Sequence, residues 1–328
     1  MTSARPATVL AAIALALLAG CAGVEVKSTP TATMETPKMA TSPHLFVLGI
    51  AQDAGYPQAG CKKACCQPAW SDPSLRRTVA SLALVDPASK RFWLFDITPD
   101  FPEQHHALQR HLGSAPGWTL AGIFLTHAHI GHYTGLVHLG REVMGNKATK
   151  VYALPRMQKF LTDNGPWSQL VRLGNIALQP LTPDQAVELG GGLRVTPMLV
   201  PHRDEFTETA GFAIEGKARK ALFIPDIDKW HRWKRDIVEE VQKIDIAFLD
   251  GTFYRDGELG SRDMSQIPHP FVEESIKRLE PLSKADRAKV HFIHLNHTNP
   301  LLQADGPAVG EVHALGYEVA RQGATFGL

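Results

Sequence analysis

Three histidines within six positions, His127, His129 and His132, offer imidazole nitrogens to a common ion. They end the apolar run Thr119–Thr126 as Leu125-Thr126-His127-Ala128-His129-Ile130-Gly131-His132. Side chains two apart on an extended segment point the same way, so His127 and His129 can face one ion together. Neutral imidazole is the commonest ligand for zinc and similar metals. A lone histidine would be read as a surface residue or a satisfied core residue; three at this spacing after a strand are read as ligands. Three neutral nitrogens around an open coordination position lower the pKa of bound water to about 7, giving a hydroxide nucleophile for a carbonyl or phosphorus centre.

A second cluster is Cys61-Lys62-Lys63-Ala64-Cys65-Cys66. Three thiols leave one over after any disulfide, and a bridge between adjacent cysteines is strained, so the spacing favours a metal. A Cys61–Cys65 or Cys61–Cys66 disulfide is the alternative. No fourth ligand is evident in the sequence; His44 and Asp53 are candidates.

Elements able to hold these residues alternate along the chain. Short apolar runs read as strands at Leu45–Ala51, Val151–Leu154, Ile176–Leu181, Leu193–Val200, Ala221–Ile224, Ile244–Leu249 and Val290–Leu295. Ala80–Asp86 and Arg91–Ile97 read as a hairpin across Pro87-Ala88-Ser89-Lys90. Phe101–Leu112, Trp230–Val241 and Phe271–Leu279 carry helical spacing. His105, His106 and His111 share the first of these helices and are expected to face water. This alternation predicts a layered α/β domain beginning near residue 44.

Composition sets the outer bounds. The chain has 328 residues, 44% of them hydrophobic and 20% charged, which suits a globular fold. Thirty-four basic and 33 acidic residues nearly cancel and form no basic arm, so a nucleic-acid partner is not expected. A small-molecule substrate is expected instead. Before the domain, Arg5 and the uncharged run Thr8–Gly20 have the form of a secretory signal, too short to span a bilayer. The run ends in Leu17-Leu18-Ala19-Gly20-Cys21, which resembles a bacterial lipobox. The resemblance implies a signal peptide over residues 1–20 and lipidation of Cys21. Residues 21–43, rich in Thr and Pro, then read as a tether that holds the domain, residues 44–328, on a membrane surface of the cell envelope, facing the periplasm or the exterior.

The histidine segment is similar to the His-x-His-x-Asp-His signature of the metallo-β-lactamase superfamily. Further residues match that pattern in order: His202 in Val200-Pro201-His202, Asp226 in Ile224-Pro225-Asp226, and His294 in Phe292-Ile293-His294. Within the superfamily the chain most resembles the pyrroloquinoline quinone biosynthesis protein B group, through Gly55-Tyr56-Pro57-Gln58, Pro225-Asp226-Ile227-Asp228, Asp250-Gly251-Thr252-Phe253 and Asn296-His297-Thr298-Asn299-Pro300. The resemblance implies a single-domain, four-layer αββα sandwich. It implies a first metal held by His127, His129 and His202, a bridging Asp226, and His132 and His294 for a second ion. His297 is the alternative to His294. It also implies a structural zinc at Cys61, Cys65 and Cys66. One departure stands out: the signature's aspartate is Gly131, so the second site is expected to lack a ligand.

Metal-dependent hydrolysis of an ester, lactone, amide or phosphodiester is the expected activity. His269 resembles the proton-donating histidine of the tRNA 3′-end endonuclease branch, and Asp250 reads as a carboxylate that fixes a ligand's tautomer or as a turn-forming Asp-Gly. Arg203, Asp204 and Glu205, beside His202, are candidates for substrate contact or a surface ion pair. Zinc is the expected metal. Iron would instead point to an oxygenase, and uptake without turnover to a non-catalytic metal- or ligand-binding lipoprotein.

Overall fold

A computed structural model describes residues 41–328, which belong to one compact unit. The expected signal peptide, Cys21 and most of the tether lie outside the described residues. Fourteen strands build two seven-stranded sheets among the described residues. The first sheet contains β1 (His44–Gly49), β2 (Ser81–Asp86), β3 (Arg91–Phe95), β4 (Thr119–Phe124), β5 (Thr149–Ala153) and β6 (Ile176–Pro180). The second contains β7 (Val187–Gly190), β8 (Leu193–Val200), β9 (Thr209–Glu215), β10 (Lys220–Ile224), β11 (Ile246–Asp250), β12 (Val290–Ile293) and β13 (Glu318–Val319). The last strand, β14 (Thr325–Gly327), returns to the first sheet beside β1. No described helix is long and apolar enough to cross a membrane.

Strand alternation explains the layers. Leu45, Val47, Leu82, Leu84, Trp93 and Phe95 face the second sheet and join Phe212, Phe223, Phe248 and Phe292 in the main core. The intervening Phe46, Leu48, Ala83, Val85, Phe92 and Leu94 face outward and pack under Phe101, Leu108 and Leu112 of the helix Phe101–Leu112. Both faces of the strands are therefore apolar, as a sheet covered on both sides requires. The second sheet is covered by helices such as Ile237–Gln242 and Pro307–Ala314. The result is the expected αββα sandwich.

The hairpin appears with Asp86 opposite Arg91. Other expectations need correction. Trp230–Val241 is not one helix: a 3-10 turn over Trp230–Arg232 is followed by extended chain, and Asp236 caps a separate helix, Ile237–Gln242. The two indoles break the segment, because Trp230 donates to Ser275 Oγ and Trp233 to the Leu199 carbonyl, each at 2.8 Å. The helix Phe101–Leu112 does not turn all its histidines to water. His111 stacks on Phe46 and meets His44 Nε2 at 2.9 Å, and His105 stacks on Phe101; only His106 is exposed.

Strand direction gathers the site. β1, β3 and β4 run the same way, since β1 and β3 are each antiparallel to β2 and β4 is parallel to β3. In the other sheet β8, β10, β11 and β12 also share one direction. Their C-terminal ends form a rim on each sheet, the usual place for ligand groups in α/β folds. Backbone hydrogen bonds close the rims together: Ala210 N donates to Thr126 O, Gln52 N to Leu295 O, and Leu295 N to Ile50 O.

Candidate metal centre

Every ligand-type residue expected from the histidine signature leaves a strand at this joined rim. His127, His129 and His132 follow β4, His202 follows β8, Asp226 follows β10, and His294 follows β12. They form two buried groups. The first comprises His127, His129, His202 and Asp226; the second comprises His132, His294 and Asp53, which follows β1. Asp226 lies between them. Its Oδ2 is 3.3 Å from His127 Nε2, 3.7 Å from His132 Nε2 and 3.8 Å from His294 Nε2, while its Oδ1 is 3.3 Å from His202 Nε2.

These spacings fit an ion. Donor atoms about 2.0–2.2 Å from a tetrahedral zinc lie roughly 3.3 Å apart. In the first group His127 Nε2 and His129 Nδ1 are 2.8 Å apart, and His129 Nδ1 and His202 Nε2 3.2 Å. In the second, Asp53 Oδ1 is 3.1 Å from His132 Nε2 and 3.5 Å from His294 Nε2. Asp53 Oδ1, His132 Nε2 and His294 Nε2 are buried atoms without a hydrogen-bond partner. Orphaned polar atoms are costly, so their convergence on one point marks the place of a cation.

Surrounding groups fix which nitrogen each ring presents. His132 donates its Nδ1 proton to Asp96 Oδ2 at 2.7 Å, leaving Nε2 with a lone pair inward. Asp96 is held by Thr126, whose backbone N and Oγ1 donate to Oδ1 at 2.8 and 3.0 Å. His294 Nδ1 meets Thr252 Oγ1 at 2.9 Å, and that hydroxyl donates onward to Asp250 Oδ1 at 2.7 Å. Asp96 and His294 both adopt left-handed backbone, with φ of 63° and 65°. Such strain in a non-glycine residue persists where surrounding bonds over-determine it, as these do.

Electrostatics prepare the carboxylates. Burial works to raise the Asp226 carboxyl, but the imidazoles of His202, His269 and His294 outweigh it and hold it well below the usual range. Asp53 is treated the same way by His132 and His294. Burial lowers His202 to about 4 against the pull of Asp226, and burial with neighbouring His132 pushes His127 well down. Ionised Asp226 and Asp53 with neutral His127 and His202 are protonation states that a metal requires, whereas, against burial, the Asp96 and Asp53 carboxylates raise His132 well above its usual value, a proton that a bound ion would displace.

His269 and Asp250 stand beside this centre. His269 Nδ1 donates to Asp250 Oδ2 at 2.9 Å and lies 3.2 Å from Asp226 Oδ1. Burial opposes the charged ring, but the Asp250 and Asp226 carboxylates raise it to about 9. Asp250 is more than a turn residue: it also accepts from Ile227 N and Thr252 N. His269 opens onto a cleft of about 490 Å³ that Gln58, Arg203, Phe253, Arg262 and His297 also line. Glu205 Oε1 is 3.3 Å from His129 Nε2, so of the three polar residues after His202 it serves a ligand, while Arg203 faces the cleft.

The cysteines form a separate four-member group, Cys61, Cys65, Cys66 and His297. His297 therefore belongs here and His294 to the buried centre. Neither earlier candidate for the fourth member holds: His44 bonds to His111 and Ser42, and Asp53 sits with His132. All three cysteines are free, so neither disulfide alternative is formed. Sγ–Sγ separations are 3.9 and 4.0 Å, and His297 Nδ1 is 3.6 and 3.4 Å from Cys65 and Cys66. Ligand distances of about 2.3 Å for sulfur and 2.0 Å for nitrogen give roughly 3.8 Å for a sulfur–sulfur and 3.5 Å for a sulfur–nitrogen pair around tetrahedral zinc.

Asp53 stands with His132 and His294 and not with the cysteines. Its signal was a carboxylate just past the end of an apolar strand, in Gln52-Asp53-Ala54-Gly55. The second group is accordingly not short of a carboxylate, as Gly131 had implied.

A family model described as a beta-lactamase superfamily domain matches residues 91–295, which is more than half of the chain. The chain belongs to the beta-lactamase superfamily. This is the metallo-hydrolase fold expected from the histidine signature. The protein named coenzyme PQQ synthesis protein B from Xanthomonas axonopodis pv. citri is 29% identical over 310 residues, covering 87% of this chain and 99% of that protein. The protein of the same name from Gluconobacter oxydans is also 29% identical, with 87% and 98% covered. The structure of Zn2+-bound PqqB from Methylobacterium extorquens superposes with a TM-score of 0.72 at 26% identity, covering 87% of this chain and all of that one. A diphosphatase of the PhnP family shares the fold, with a TM-score of 0.60 at 24% identity and 87% and 98% coverage.

Proposed function

We propose that this chain is a metal-dependent hydrolase, anchored in the cell envelope through lipidated Cys21, and that its substrate carries an anionic ester, most simply a phosphodiester. The observation that carries the hydrolytic reading is Asp226, which lies between two buried donor groups and beside His269, a residue that lines a cleft. When bound, the ions would supply Lewis acidity and an activated water. His127, His129 and His202 would hold the first ion with Asp226.

The chain's own groups do the rest. Asp250 accepts the Nδ1 proton of His269, so Nε2 is the atom left to give a proton to a leaving alkoxide. Arg203 and Arg262 present two guanidiniums to the cleft against one carboxylate, Asp263, which favours a negatively charged substrate. The lipobox-like segment before Cys21 supports placement outside the cytosol, apart from the cofactor synthesis for which the relatives are named.

The test joins elemental mass spectrometry of the full-length chain to turnover of bis(p-nitrophenyl) phosphate, p-nitrophenyl acetate, a lactone and a β-lactam. Zinc with phosphodiester turnover is expected. Bound iron with oxygen consumption would replace hydrolysis with an oxygenase. A chain that binds substrate analogues without turning any over would be a binding protein. Membrane association lost in Cys21→Ala is the expected sign of the anchor.

A further inference from the structure

Gly131 and Asp53 are complementary. Gly131 stands where the superfamily signature has an aspartate, and a Cβ built on it would lie 2.6 Å from Asp53 Cα and 2.9 Å from Asp53 Cγ. A side chain at 131 and the present position of Asp53 therefore exclude each other. The loss of a carboxylate from the segment after β4 has made room for one from the segment after β1.

That second segment is firmly placed. Ile50 O and Gln52 N are both hydrogen-bonded to Leu295, the neighbour of His294. Ile50 N and Ala51 N both donate to Thr78 O at 2.9 Å. Asp53 is thus carried to His294 by the backbone that joins the two sheets, and its Oδ1 reaches both His132 Nε2 and His294 Nε2 without the geometry of a hydrogen bond to either. The three atoms are orphaned together.

We infer that Asp53 is the replacement ligand: the second ion is held by Asp53, His132, His294 and the bridging Asp226, with a carboxylate supplied from the opposite side of the site. The chain is then a two-ion protein despite Gly131. This rests on the metal-centre reading above but not on hydrolysis.

Metal content of the full-length chain decides it. Three ions per chain are expected: two in the histidine–carboxylate centre and one at the cysteines. Cobalt substitution separates them, because thiolate-to-cobalt absorption reports only the cysteine site. Asp53→Asn, which keeps shape and removes charge, should bind two ions, or bind the third about 100-fold more weakly, with the thiolate band unchanged. Gly131→Ala should lose the same ion with every ligand still present, because its methyl group displaces Asp53. Three ions of undiminished affinity in Asp53→Asn would overturn the inference, as would two ions in the unaltered chain. Neither result touches hydrolysis at a single ion. Loss of all ions from the histidine centre of the unaltered chain would instead sink the metal-dependent reading of function.

Discussion

The histidine–carboxylate centre and the cysteine centre lie a few residues apart on the same two segments, yet they are built for different tasks. Asp53 and Cys61 share the segment after β1, and His294 and His297 share the segment after β12. The cysteine group closes all four positions with side chains, and it is joined to the fold by local bonds such as Tyr56 Oη to the Cys65 carbonyl at 2.6 Å. A closed set of this kind contributes folding energy and leaves no position for substrate. Burial pushes the Cys66 thiol up to about 12, with neighbouring Cys65 and Cys61 adding to it. Such a thiol ionises readily only around a cation. The histidine group keeps a cleft beside it, lined by His269, whose Nδ1 is taken up by Asp250. Closure marks structure, and an open flank with a held proton marks chemistry.

Breaking the open centre should destroy activity and leave the fold. Asp226→Ala removes the group common to both ligand sets and is expected to lower turnover by about 10³-fold or more, since a catalytic ion supplies several kcal/mol of transition-state stabilisation. Thermal unfolding of the zinc-loaded variant should still show one cooperative transition. His269→Ala comes next, with a loss of ~10²–10⁴ in kcat while both ions stay bound. Equal turnover by His269→Ala would remove it from proton transfer and leave it a wall of the cleft.

Breaking the closed centre should do the reverse. Cys66→Ala deletes a fully buried ligand and should release one zinc. The thermal midpoint should fall by roughly 5–10 °C, as loss of a structural metal from a domain of this size implies. Its sharper reading is indirect. Asp53 and the first cysteine, Cys61, are joined by seven intervening residues, so the second ion of the open centre should also weaken, by about tenfold, while the first is unaffected. Titration of the variant with zinc measures both. An unchanged second ion would make the two centres independent despite their shared segments.

The sequence made the first metal group legible because its donors follow strand ends in an order and spacing that few other needs would produce. It made the sandwich legible through apolar runs such as Leu45–Ala51 and Val290–Leu295. Asp53 stayed hidden because its role depends on pairing between Ile50–Gln52 and Leu295, some 240 positions away. His297 was hidden for the same reason, since nothing local links it to Cys65. Gly131 pointed to a missing ligand, but an empty volume in one segment says nothing about which other segment fills it. β9, Thr209–Glu215, is not among the strands expected from the apolar runs; its Gly211 lies against Met198 and Ile224, where a side chain would not fit.

Acid gives the smallest effect and separates loss of ions from loss of fold. Both centres release metal as their ligands take up protons, so stability falls with pH for that reason alone. His291 adds a term with no metal in it. Packed against Phe248 and Phe326 on β12, it is lowered by burial to about 4, with Arg219 contributing. The unfolded chain binds this proton near pH 6.5 and the folded chain only near 4. Stability from His291 is therefore complete above pH 6.5 and is lost as pH falls towards 4. At pH 5 the loss is about 1–2 kcal/mol. In metal-free protein, His291→Phe should flatten the slope of stability between pH 6.5 and 5, measured by urea unfolding at each pH. With zinc bound, the same variant should keep the larger acid loss that belongs to the two centres. A slope unchanged in the metal-free variant would assign the whole acid response to the histidine and cysteine groups.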